Sequence, residues 1–285
     1  MPAARRYAPL VACILAALTA ACAPDAPTIA NPDPASAPAP NRAGYEQPGV
    51  HRQYGTPQKI GDGMARTYVV LDVKSAQAPL ELGIALSEKA LTGLPSAEGE
   101  YSFILPLPQH APTPYRFAEL DWNPHGHPPV GIYSLPHFDF HFYTISLQER
   151  NAILPSDPNF AAEANNVPTG AFVPPFYVPL VPPGGQPADA AVPQMGVHWF
   201  DVRAPEFHGE TFTSTFIYGS WNGRFTFYEP MVTREFLQSK PEFAAPIPFP
   251  QSYPAPGYYP TSYRVTYDAQ AKEYRVALAG LTAWP

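Results

Sequence analysis

Beyond Ile60, apolar and polar positions tend to alternate with a period of two, and segments with a helical period are few and short. The runs MARTYVVLDV (64–73) and PLELGIALS (79–87) are rich in β-branched residues, partly alternating and bounded by turn residues, which predicts strands. The same reading predicts strands at 101–107, 115–121, 137–145, 197–202, 212–218, 224–228, 261–267 and 273–278. Helices are predicted only at 147–154, 159–165 and 233–239, with one turn at most in 88–94. Ten strand-like runs with no internal repeat predict an all-β fold, or a β-rich one with a few short helices. The expected architecture is a single β-barrel or β-sandwich domain with long proline-rich loops at 168–193 and 241–260.

Composition sharpens this picture. Forty of the 285 residues are proline, which excludes helical bundles and coiled coils, because each interior proline removes a backbone donor and clashes with the preceding turn. The formal charge is −7 and no basic run exceeds Arg5-Arg6, so nucleic acid is not an expected partner. Arg5-Arg6, the apolar run 8–21 and the small residues before Cys22 resemble a bacterial lipoprotein signal, with Cys22 as the lipidated residue. The alternative is an ordinary secretory peptide cut after an Ala-x-Ala site. The expected organisation is a signal peptide at 1–21, a lipid-anchored Pro/Ala-rich linker at 22–58 and a β-rich domain with the His-rich site at 59–285. The lipoprotein resemblance implies anchoring to the membrane through an N-terminal lipid and, by similarity to lipoprotein sorting in two-membrane bacteria, Ala23 after the cysteine implies the outer membrane of the cell envelope. The two cysteines, Cys13 and Cys22, fall in or at the end of the signal, so the folded domain has neither a disulfide nor a thiolate metal site.

The chemistry lies in histidine. Four of the eight histidines, His125, His127, His137 and His141, fall within the segment DWNPHGHPPVGIYSLPHFDFHFY, and His198 follows in MGVHWFD. In HFDFHF a strand places His137, Asp139 and His141 on one face and Phe138, Phe140 and Phe142 on the other. If the polar face is turned inward, Asp139 requires a histidine or a metal as partner. Residues i and i+2 are about 6.6 Å apart along a strand, so one such pair can share an ion, whereas i and i+4 need a bend. The metal candidates are therefore His127, His137, Asp139, His141 and His198, with Glu229 in RFTFYEP as an acid/base or a ligand. Taken alone, Glu229 also reads as a strand-end charge pointing at water. Imidazole with carboxylate suits a divalent transition metal, with zinc or iron foremost and copper or nickel also accepted, and spacing does not choose among them. His51, His110 and His208 have no second ligand near them in sequence and are expected outside the site. HExxH, GxSxG, a phosphate loop and GxGxxG are all missing.

The blocks WNPHGHPP, PHFDFHFY, MGVHW and FYEPM, in this order over residues 101–237, resemble a secreted bacterial family of unknown function. That resemblance implies a shared β-rich fold and a shared His-rich site, and no reaction. The blocks are also similar in flavour to the metal barrels of cupins, though HGH followed by HFDFH departs from the cupin spacing. Three functional readings follow: a metal-dependent enzyme of the envelope, a non-catalytic module binding metal or a small molecule, or a structural protein of envelope assembly, with homo-oligomers compatible with each.

Overall fold

The computed structural model describes residues 49–75, 78–109 and 111–285. The signal, Cys22, most of the linker and His110 lie outside these. Two antiparallel sheets carry the fold. The first contains β1 (Val50–Tyr54), β2 (Gln58–Ile60), β3 (Gly63–Asp72), β4 (Ala78–Ser87), β12 (Glu242–Pro246), β14 (Ser262–Asp268) and β15 (Glu273–Ala279). Its order is β1-β3-β4-β15-β14-β12, with β2 also paired to β3. The second contains β5 (Tyr101–Leu105), β6 (Phe117–Asn123), β7 (His137–Tyr143), β8 (Tyr177–Pro179), β9 (Val197–Asp201), β10 (Ser214–Trp221) and β11 (Arg224–Thr233), in the order β5-β6-β7-β11-β10-β9-β8. β13 (Gly257–Tyr259) and β16 (Thr282–Trp284) form a separate ribbon. Neither sheet closes on itself, so of the two expected architectures the sandwich is the one formed.

Alternation explains why the sheets stack. Val69, Leu71, Leu82, Ile84, Val265, Val276 and Leu278 from the first sheet form one buried cluster with Leu120, Trp122, Phe138, Phe140, Phe142, Trp199, Phe216 and Tyr228 from the second. Fully burying side chains of this size is worth about 1.5–3 kcal/mol each, so this double layer is the main stabilising feature.

All ten expected strands and all three helices, α1 (Leu147–Ala152), α2 (Phe160–Asn165) and α3 (Arg234–Gln238), are present within a few residues of their expected positions. Three differences have physical causes. β1 and the start of β2 lie inside the stretch read as linker, because Val50 to Tyr54 find in β3 a partner ladder invisible to local pattern. β8, β12 and β13 add short strands within or next to the proline-dense connections. β11 continues through Pro230 to Thr233, although proline has no N–H for a ladder. It pairs with β7 at Phe227, Tyr228, Met231, Val232 and Thr233, and the pairing lapses at Glu229 and Pro230, opposite His141 and Phe140.

The outer face of the second sheet is also covered. Phe117, Tyr143, Ile145, Ile153, Met195 and Phe227 form one cluster on it, and Tyr133, Phe200, Phe212, Ile217 and Met231 another. Between these two apolar clusters runs a row of buried polar side chains.

Candidate metal centre

The strand registers build this row. β6 and β7 align Glu119 with His141, Asp121 with Asp139 and Asn123 with His137. Glu229 lies on the same face of β11. On β9, His198 stands opposite Gly219 of β10, which is opposite Phe227. Glu119, Asp121, Asn123, His137, Asp139, His141 and Glu229 are each at most 2% exposed, so every charge among them needs a partner within the protein.

His127 reaches the row from the loop before β7. Gly126 has φ +69°, and a Cβ there would run into the Tyr133 carbonyl, so glycine is required for the loop to fold back. The His127 amide then donates to Tyr133 O at 3.0 Å, and Tyr133 packs edge-on to the His127 ring at 5.9 Å between centroids. The side chain of His127 remains 31% exposed, which makes it the open side of the row.

Two groups of ligand atoms gather here, each with its atoms within 4.8 Å of one another: His127, His137 and Asp139, and separately His141, His198 and Glu229. In the first, Nε2 of His127 is 3.4 Å from Asp139 Oδ2 and Nε2 of His137 is 3.2 Å from Oδ1. The opposite nitrogens, Nδ1 of His127 and of His137, lie 2.7 Å from the carbonyls of Pro128 and Leu135. A carbonyl only accepts, so each Nδ1 carries the proton and each Nε2 presents a lone pair or a second proton to the carboxylate. Asn123 Nδ2 donates to Asp139 Oδ2 at 2.7 Å and fixes its orientation.

In the second group, His141 Nε2 is 3.2 Å from Glu229 Oε2, and its Nδ1 is 3.1 Å from Asp121 Oδ2. Proximity here is not hydrogen bonding. His137 Nε2, Asp139 Oδ1, both ring nitrogens of His141, both oxygens of Asp121 and Glu229 Oε2 are buried without a hydrogen bond of acceptable geometry. Metal bonds of about 2.0–2.1 Å at tetrahedral to octahedral angles put neighbouring ligand atoms about 2.8–3.4 Å apart, a range that includes His127–Asp139, His137–Asp139 and His141–Glu229.

Electrostatics agree with crowded carboxylates and imidazoles. Burial works against charge on His127, but Asp139 outweighs it and pushes this histidine up to about 9. Burial also works to raise Asp139, yet the His137 and His127 rings hold it well below the carboxylate range. Burial raises Glu229 above its ordinary value, with His141 opposing. His198 is pushed down to about 3 by burial and then by His141 and His127, which leaves it a neutral ring with a free lone pair. A cation bound in this row would take the place that protons hold without it.

Among the expected ligands, His127, His137 and Asp139 come together, while His141 and His198 join Glu229 in a second group. The four imidazoles thus divide between two adjoining triads, two in each. Glu229 is 2% exposed in the middle of β11, not a strand-end charge facing water. His51 is exposed on β1, His125 bonds the Ser96 carbonyl at 3.0 Å, and His208 bonds that of Val202 at 2.9 Å, all outside both triads.

Sequence reasoning passed over Glu119, Asp121, Asn123, Arg150 and Glu100. Helix α1, started by a Ser146/Glu149 capping box, brings Arg150 into a buried ion pair with Glu119. Glu100 precedes β5 and, by the register Ser102–Asp121, belongs to the site face. It keeps more than a third of its surface in water, yet desolvation by its surroundings and the charges of Asp121 and Asp139 push it up to about 7. The signal was present in FAELDWN, where Glu119, Asp121 and Asn123 alternate with Ala118, Leu120 and Trp122.

The fold and site define an antiparallel β-sandwich with a buried histidine–carboxylate row on its outer face. Residues 55–122 match an uncharacterised family described as TTHB210-like, hypothetical protein TTHB210. The matched segment runs from the end of β1 through β6 and includes Glu119 and Asp121. No curated protein and no solved structure matches the chain.

Proposed function

We propose that this protein is a cell-envelope lipoprotein whose sandwich domain holds a divalent transition metal, zinc or iron by ligand type, at His127, His137 and Asp139. One observation carries the reading. Two imidazoles with Nδ1 locked onto backbone carbonyls aim Nε2 at the same buried carboxylate from 3.4 and 3.2 Å. A carbonyl on the far nitrogen is the usual way a protein orients a metal-binding histidine. The motif blocks WNPHGHPP and PHFDFHFY, which suggest kinship with a secreted family of unknown function, contribute all three ligands.

Elemental analysis of untagged protein should find bound metal, and a chelator should lower its melting temperature, since a ligand of the native state stabilises by mass action. Asp139→Asn and His137→Ala should lose that metal, whereas His208→Ala should keep it. Protein without metal, with a melting temperature indifferent to prolonged chelation, would sink the proposal.

The half-open side at His127 supports a second, catalytic reading, in which the ion keeps a position for water and acts as a Lewis acid. Azide added to cobalt-loaded protein should then shift its visible spectrum. An unchanged spectrum argues for a closed, non-catalytic centre.

A further inference from the structure

We propose that the row holds two metal ions, the second at His141, His198 and Glu229; this rests on the first triad binding metal. The triads are distinct in position. His137 and His141, one in each triad, are four residues apart on β7, about 13 Å along an unbent strand. One ion bonded at about 2.0–2.1 Å cannot be shared by His137 and His141 on an unbent strand.

The second triad has its own construction. His141 turns Nε2 to Glu229 and Nδ1 to Asp121 at 3.2 and 3.1 Å, and neither nitrogen makes a hydrogen bond. Asp121 lies behind the ring, within reach of the Nδ1–H bond by which a carboxylate orients a histidine ligand. Pro230 supplies no N–H, and the β7–β11 ladder lapses where His141 and Glu229 face each other. Phe227, with its ring centroid 4.8 Å from that of His141 and 5.4 Å from that of His198, walls the position with hydrocarbon.

Charge points the same way. Glu119 is neutralised by Arg150, but among the described residues Asp121, Asp139 and Glu229 are ion-paired only with histidines. Buried carboxylates with no permanent cation beside them are the donors a divalent ion takes up. The ligand class is a borderline divalent cation accepting imidazole and carboxylate, such as zinc, cobalt or ferrous iron.

The test is stoichiometry on the full, untagged chain, stripped by chelator and reloaded with Co2+ alone, with the metal retained after buffer exchange counted against protein. Wild type should retain two ions per chain. Glu229→Gln with His198→Ala should retain one, His137→Ala with Asp139→Asn should retain one, and the fourfold variant none. One ion in wild type that the Glu229/His198 variant keeps overturns the second site and leaves the first standing, and one ion that both double variants lose marks a single shared centre and overturns the two-ion reading. No retained ion in wild type overturns both. The wild-type count does not depend on any variant folding, and circular dichroism identifies variants that do not.

Discussion

Single residues decide how charge is tolerated inside this sandwich, and not every buried acid belongs to the metal row. Asp268, at the β14–β15 turn, is 6% exposed, accepts from the amides of Gln270 and Ala271 at 2.9 and 3.0 Å, and pairs with Arg275 at 2.8 Å. Burial works to raise its pKa, but the amides and Arg275 outweigh it and hold the carboxyl below its ordinary value. A depressed folded pKa means stabilisation that is present above the unfolded value of about 3.9 and is lost as pH falls through the folded one. Asp268→Asn should therefore cost about 1–3 kcal/mol at pH 7. The gap to wild type, read from urea unfolding, should close in acid. A gap that persists unchanged below pH 3 would contradict this account. At the metal row the same rule of compensation applies, and there imidazole stands where Arg275 and the turn amides stand for Asp268.

At the scale of elements, the site depends on how strands pack side by side. β10 contributes Gly219, where a Cβ would run into the Phe227 ring of β11. That ring lies against both His141 and His198, so the missing side chain on one strand makes space for the wall of a site built from its neighbours. Gly219→Ala should destabilise by about 1–3 kcal/mol through overpacking, more than the smaller gain from a stiffer unfolded chain. Thermal unfolding measures it, and a melting temperature at or above that of wild type would mean that Phe227 can move aside freely. Residue patterns located β7, α1 and the other main elements because alternation and turn signals are local properties. They missed β1, β2, β8, β12, β13 and β16 because strands of three to five residues owe their existence to a partner ladder. They ended β11 at Tyr228 because a proline inside a central strand contradicts local rules, and here that break coincides with the site.

For the whole molecule, the proposal is a metal-binding sandwich carried on a lipid tether. If Cys22 is the lipidated residue, the mature protein should partition into detergent, and Cys22→Ala should release it as soluble protein or block its processing. Correctly processed protein with unchanged membrane association would defeat that part. The sequence by itself determined the β-rich class, the strand bearing His137, Asp139 and His141 on one face, and the freedom of the folded domain from cysteine chemistry. These follow from composition and from the two-residue period of a strand, which are properties of neighbouring positions. Only the tertiary structure decided that the histidine face is the outer, loop-covered face of one sheet, and that β6 lays Glu119 and Asp121 beside it. The tertiary structure likewise divided the ligands into two triads, with Glu229 drawn into one of them. Those outcomes are set by register between strands, β6 against β7 as for Asp121 and Asp139 and β7 against β11 more than eighty residues away as for His137 and Thr233, and by which face each sheet turns to the other. No pattern within a single segment contains that pairing.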